Sequence, residues 1–468
     1  MRGMPPLLRR NALMTPESAT SLSVMMVPGK IPDLFPAVRA LGARLGVRPR
    51  AGEVSMPLPS RPEDCPGSAP QPRILIPVRD APPDAVQRDR LRTQGRYLAR
   101  QEAWEVLARG LREADTARDA APGGTPVARL LAEGACSDAM GSALAAVRRD
   151  DPTAARASLF ALRDAIDGAE RAPWLAAMLA QAHLGVAKAW ATRSGGLLHR
   201  DARAQHLEAA QRLIAPFDPL EHDSPLLAAL RCALLDLDPH PEHRVYDDYE
   251  DLIDLDPACP DHLRALGRDL IPQRFGDWER LDREARRTAG HTADIWGLGG
   301  YAWVWFDALA GAAPGGFANV DAELFAEGLH DILHRRPDQH MANLLAAYCG
   351  LTLSGAAVPG SARARIAGCF GWIAQDHLRE VHPELWADAR PVRGSTDGGE
   401  RLRLGEARAL SALAEHFAHQ LARGRQVRFT EAGIVLTPSP CAACTLAPCS
   451  ALAYPRRDQR DEDAPCLT

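Results

Sequence analysis

Apolar residues recur at spacings of three and four from about Arg96 to Arg423, the period that lines one face of an α-helix. Tyr97, Trp104, Leu107 and Leu111 follow this rule and predict a first helix. Further helices are predicted over 127–148, 153–167, 173–192, 202–214, 226–237 and, last, 401–423. Pro152, Pro173, Pro216, Pro239, Pro257, Pro337 and Pro383 punctuate the run at intervals that suit helical hairpins, because proline cannot continue a helix interior. Short connectors between successive helices favour antiparallel neighbours. The stretch 1–88 breaks the pattern. Six prolines fall between Pro57 and Pro72, which predicts a linker or an extended wrap. A short amphipathic helix is predicted over 31–47, before them, and Ile74 to Val78 reads as a short strand or extended segment packed on the main body. Beyond Arg423 the alternation over 426–430 and 433–437 predicts a β-hairpin turning at Glu431-Ala432. The expected fold is therefore all-α. An irregular Pro-rich segment (1–88) precedes a body of stacked antiparallel helical hairpins (89–424). A β-hairpin with a Cys-containing tail (425–468) closes the chain.

Composition narrows the function. Of 468 residues, 46% are hydrophobic, ample for a sizeable core. The net charge is -5, without the clustered basic excess of a nucleic-acid footprint. Lys30 and Lys188 are the lysines, so 53 of the 55 basic residues are arginine. With abundant alanine, this suits a GC-rich bacterial genome and makes surface ion pairs arginine-based. Six of the ten cysteines (Cys65, Cys136, Cys232, Cys259, Cys349, Cys369) have no close pairing, a pattern that suits a reducing cytosol. The N-terminus carries Arg2, Arg9 and Arg10 but no long apolar run, unlike a secretory signal. The expected location is cytoplasmic. Two charge-poor stretches, 295–312 and 341–362, contain too many glycines and polar residues for a membrane span and read as buried helix plus loop.

The most repetitive stretch is LIDLDPACPDHLRALGRDLIPQRFGDWERL, 252–281. Leu255-Asp256-Pro257, then Leu263, then Leu266-Gly267, then Gly276-Asp277-Trp278 resemble the tetratricopeptide repeat, a helix–turn–helix unit of roughly 34 residues. Trp296 follows Leu263 by 33 residues, with Gly300 at the small position and Trp303 at the aromatic one. Gly299 replaces the expected leucine, and an insertion over 311–320 delays the next helix, where Phe325, Leu329 and Ile332 precede Pro337. The resemblance is best over 226–342. It implies a helical solenoid, in which each hairpin hides its apolar face against the next.

Several clusters carry candidate chemistry. Trp296, Tyr301, Trp303, Trp305 and Phe306 fall within eleven residues. They can form an aromatic wall that grips a peptide, although their three- and four-residue spacings also suit ordinary core. Trp296, Trp303 and Asn343 are the candidate partner-binding residues. His330 and His334 lie four apart, a spacing that can chelate zinc. Asp331 stands where a metalloprotease has glutamate, and Glu327 makes a single E-x-x-H half-site. On a helical wheel both histidines point away from the apolar stripe, as solvated residues do. His416 and His419 lie on the last helix. In the tail, Cys441 and Cys444 form a C-x2-C beside the hairpin, followed by Cys449 and Cys466. Two thiolates so spaced can hold one tetrahedral zinc, but the second half of the set has no standard spacing. No phosphate loop, nucleophile elbow or kinase set is present.

The sequence therefore predicts a non-catalytic scaffold or adaptor for a protein or peptide partner. No nucleic acid, membrane span or obligate cofactor is expected. The alternative is a metal-binding enzyme or sensor, using His330/His334 or zinc at Cys441, Cys444, Cys449 and Cys466.

Overall fold

The computed structural model describes residues 73–438 except 167–170, 194, 312–314 and 391–396. The chain runs through α1 (Pro83–Arg100), α2 (Trp104–Thr116), α3 (Val127–Ala135), α4 (Ser137–Arg148), α5 (Pro152–Ala165), α6 (Pro173–Ala191), α7 (Leu197–Ile214), α8 (Pro225–Ala233), α9 (Pro241–Leu255), α10 (Pro260–Asp269) and α11 (Trp278–His291). It continues through α12 (Ala293–Trp296), α13 (Gly299–Ala310), α14 (Gly316–Asn319), α15 (Ala322–Arg335), α16 (Gln339–Ala347), α17 (Ala362–Gly368), α18 (Phe370–Trp372), α19 (Pro383–Asp388), α20 (Gly398–His416) and α21 (Ala418–Ala422). The short strand β1 (Ile74–Leu75) precedes them, and β2 (Arg425–Thr430) and β3 (Gly433–Pro438) follow. No described helix is long and apolar enough to cross a membrane.

Prolines start many of these helices. Pro83, Pro152, Pro173, Pro225, Pro241, Pro260 and Pro383 occupy first-turn positions, where the missing N–H has no intrahelical partner to lose. Asp151 and Ser224 also cap two of these, α5 and α8, and Asp277, Asp321, Asp338 and Ser361 cap four others, each accepting a bond from a first-turn backbone N–H.

The boundaries correct the sequence reading in four places, one being the last helix, expected over 401–423, which divides at Phe417 into α20 and α21. The helical body begins at Pro83, inside the stretch assigned to an irregular segment ending at residue 88. The single helix expected through Tyr97 and Trp104 is two, α1 and α2. Glu102, at φ 52°, reverses the chain between them, and Tyr97 is exposed. The helix expected over 127–148 divides at Cys136 into α3 and α4.

Two apolar clusters fill the interior. One gathers side chains from α1 to α8, the other from α8 to β2. Helix α8 serves both, sending Leu226, Leu227 and Leu230 into the first and Ala228 and Cys232 into the second. Helices α6 and α7 also bury two imidazoles, with His183 Nδ1 3.0 Å from His206 Nδ1. Glycine sets the closest approaches. A Cβ on Gly267 of α10 would sit 1.7 Å from the Val304 carbonyl oxygen of α13. Gly95 and Gly134 play the same part where α1 crosses α3, against the Leu131 and Arg92 carbonyls.

The predicted hairpin is present: β2 and β3 pair antiparallel from Arg425↔Pro438 to Thr430↔Gly433. The strand expected near Ile74 also forms, and it pairs parallel with β2 through Ile74↔Val427.

A groove with a buried Asp-Cys-His group in its wall

Helices α2, α3, α4, α6, α8, α9 and α10 enclose a groove of about 1150 Å³. Its apolar lining includes Met140, Leu144, Met178, Leu226, Leu230 and Leu252. Charged side chains of both signs surround that lining, and several are paired with each other. Arg129 meets Glu133 at 3.1 Å and Asp261 at 3.2 Å, and Arg274 meets Asp269 at 3.0 Å. Lys188 lines the groove and is exposed.

One end is fixed by Asp115, buried at the end of α2. Its carboxylate accepts bonds from Ser224 Oγ, from Trp174 Nε1 at 2.9 Å and from the Leu226 amide at 3.0 Å. It thereby ties α2 to α6 and to the start of α8. Burial raises the Asp115 pKa, against the opposing pull of these donors and of Arg118.

The α9–α10 connection builds the other feature. Asp256 is the residue just past α9, Cys259 is the N-cap of α10, and His262 is its third helical residue. N-cap and N3 side chains face each other across a first turn, as in a capping box. The three side chains are 6%, 4% and 7% exposed, and their donor atoms all lie within 4.8 Å of one another. This buried group can hold a metal ion. His262 Nε2 stands 3.6 Å from Asp256 Oδ2, too far for a hydrogen bond, and is a buried atom with no hydrogen-bond partner. The Cys259 thiol contacts the Gly124 carbonyl at 3.8 Å. Burial lowers the His262 pKa, but the adjacent Cys259 and Asp256 side chains outweigh it and bring it to about 10. Asp256 and His262 both line the groove.

The candidate residues named from sequence lie elsewhere. Trp296, Trp303 and Asn343 are almost completely buried. Trp296 Nε1 donates to the Pro257 carbonyl at 2.9 Å, directly behind the Asp-Cys-His turn. Trp303 packs edge-on against Trp296. Asn343 donates to the Gln339 and Glu380 carbonyls and accepts from the His382 amide and Trp386 Nε1, all at 2.8–2.9 Å. These three support the fold from within and present no surface to a partner. The aromatic cluster is core, with Tyr301, Trp305 and Phe306 buried as well.

His330 and His334 are exposed, and the His330 ring stacks on Trp372 at 3.7 Å. Among the described residues, neither belongs to a group of three ligand-type side chains, and nor do His416 and His419. Cys441, Cys444, Cys449 and Cys466 lie outside the described residues.

Sequence reasoning passed over Asp256, Cys259 and His262. The D-x2-C-x2-H spacing is visible in the sequence, but Asp256 also fits the Leu255-Asp256-Pro257 repeat motif and Cys259 has no cysteine close by. No family model, no curated protein and no solved structure matches the chain.

Proposed function

We propose that this chain is a binding scaffold whose α2–α10 groove receives a peptide segment of a protein partner. The α8–α16 region is read as tetratricopeptide-like units, with Leu263 and Trp296 as equivalent buried positions. The observation that carries the reading is the groove itself. At about 1150 Å³ it exceeds the ~300–1,000 Å³ of ordinary small-molecule pockets. Seven helices line it, which suits an elongated ligand. Methionine-containing apolar lining adapts to varied side chains, while the mixed charges along the walls offer polar pairing to a peptide backbone and termini.

The test is selection of displayed peptides on the immobilised full chain, followed by affinity measurement on the enriched sequences. Leu144, partly buried on the groove wall, is replaced by arginine. Leu144→Arg is expected to weaken the selected peptides at least tenfold with unchanged far-UV circular dichroism. Equal affinity for the folded variant would place binding on another surface and overturn the proposal.

A further inference from the structure

The geometry points to a zinc site formed by Asp256, Cys259 and His262, with its remaining coordination position open to the groove. The donor set is one carboxylate, one thiolate and one imidazole. That mixture suits zinc, whereas magnesium and calcium prefer oxygen alone. Zinc bonds to nitrogen and carboxylate oxygen are ~2.0–2.2 Å, which puts tetrahedral neighbours about 3.4 Å apart. His262 Nε2 and Asp256 Oδ2 already stand 3.6 Å apart, and all three donor atoms lie within 4.8 Å of one another.

The strongest support is the orphaned ring nitrogen. His262 is 7% exposed, and its Nε2 has no hydrogen-bond partner. A buried polar atom without a partner costs free energy, and an ion between it and Asp256 would remove that cost. Binding would draw the Cys259 thiol from its weak contact with Gly124, and the thiol proton and one His262 ring proton would both pass to solvent. With two anionic ligands the ion's charge is neutralised. Three protein ligands leave a fourth position for water or for an anionic group of whatever occupies the groove. Metal binding itself does not require that the groove hold a peptide.

The experiment is titration of the full, metal-stripped chain with Co(II), followed by displacement with Zn(II). The tail cysteines are removed in parallel by Cys441→Ser, Cys444→Ser, Cys449→Ser and Cys466→Ser. One equivalent of Co(II) should give thiolate-to-metal charge-transfer absorption that survives the tail substitutions and is bleached by zinc. Cys259→Ser should abolish that band, and His262→Ala should weaken binding by more than about 100-fold, beyond the cost of losing an outer-shell group. Circular dichroism confirms folding, and Asp256→Asn supplies a second variant should either of the others misfold. Absence of the band would mean an imidazolium–carboxylate pair only and overturn the site. A band lost only with the tail cysteines would overturn it equally.

Discussion

Replacing Gly267 by alanine sets two opposed effects against each other. In a helix interior the exchange favours folding by about 0.8–1.0 kcal/mol. Here the new Cβ would sit 1.7 Å from the Val304 carbonyl oxygen and 2.8 Å from its carbon. That oxygen is backbone, so no side-chain rotation relieves the contact. Helices α10 and α13 must part by roughly 1.5 Å to restore ordinary contact distance, and a gap of even 0.5–1 Å forfeits a quarter to a half of each dispersion contact along a seam. The seam holds Leu263, Leu266, Trp303 and Val304, all buried. Overpacking of this kind costs about 1–3 kcal/mol, and a rigid obstacle puts Gly267→Ala at or above the upper end. The net expectation is destabilisation by about 2 kcal/mol or more. Gly110 in α2 is the control, since a Cβ there meets nothing within 4 Å. Gly110→Ala should stabilise by about 0.5–1 kcal/mol. The same chemical change should thus move the urea midpoint in opposite directions at the two sites. A Gly267→Ala midpoint equal to or above the parent's would refute the packing argument.

Two further outcomes follow from buried polar groups. His183 and His206 are held neutral in the fold, mainly by burial, with pKa values near 3 and 4. An unfolded histidine titrates near ~6.5, so stability is complete above that pH and falls as pH drops through the window from 6.5 towards 4 and 3. By pH 5 each imidazole should cost about 2 kcal/mol. Denaturation midpoints measured between pH 7 and 5 should fall less steeply in His206→Asn, and an unchanged slope would remove the pair as the cause. Asp115→Ala leaves the Ser224, Trp174 and Leu226 donors without their acceptor. At about 1–3 kcal/mol for a buried unsatisfied group, equilibrium unfolding should show a loss of at least ~3 kcal/mol, with Asp115→Asn in between. A loss below 1 kcal/mol would mean that water replaces the carboxylate.

Features encoded over short distances were legible in the sequence. Apolar spacing located most helices, alternation located the hairpin at Glu431-Ala432, and the β-prone Ile74 segment became a strand. The Leu266-Gly267 pair also had its packing meaning, visible in the contact with Val304. Features set by distant partners were not legible. The division at Cys136 and the reversal at Glu102 interrupt no obvious pattern. Aromatic density around Trp303 could not distinguish wall from core, because burial depends on α10, α11 and α15 packing around α13. His330 has its stacking partner, Trp372, from a different helix. The Asp256–Cys259–His262 turn was local, but only its burial makes it chemically unusual.

The parallel pairing of Ile74 with Val427 has a kinetic consequence. In an open array of repeats, terminal units can peel away while the middle persists. Here the Val427 amide donates to the Arg73 carbonyl, and the Val381 amide to that of Pro77. Early and late segments are thus fastened together, and loosening one strips hydrogen bonds from the other. During synthesis Ile74 leaves the ribosome long before Val427 exists, so the strand pairing cannot form until residue 427 is made, and a chain stalled before it carries an unpaired strand edge open to mispairing.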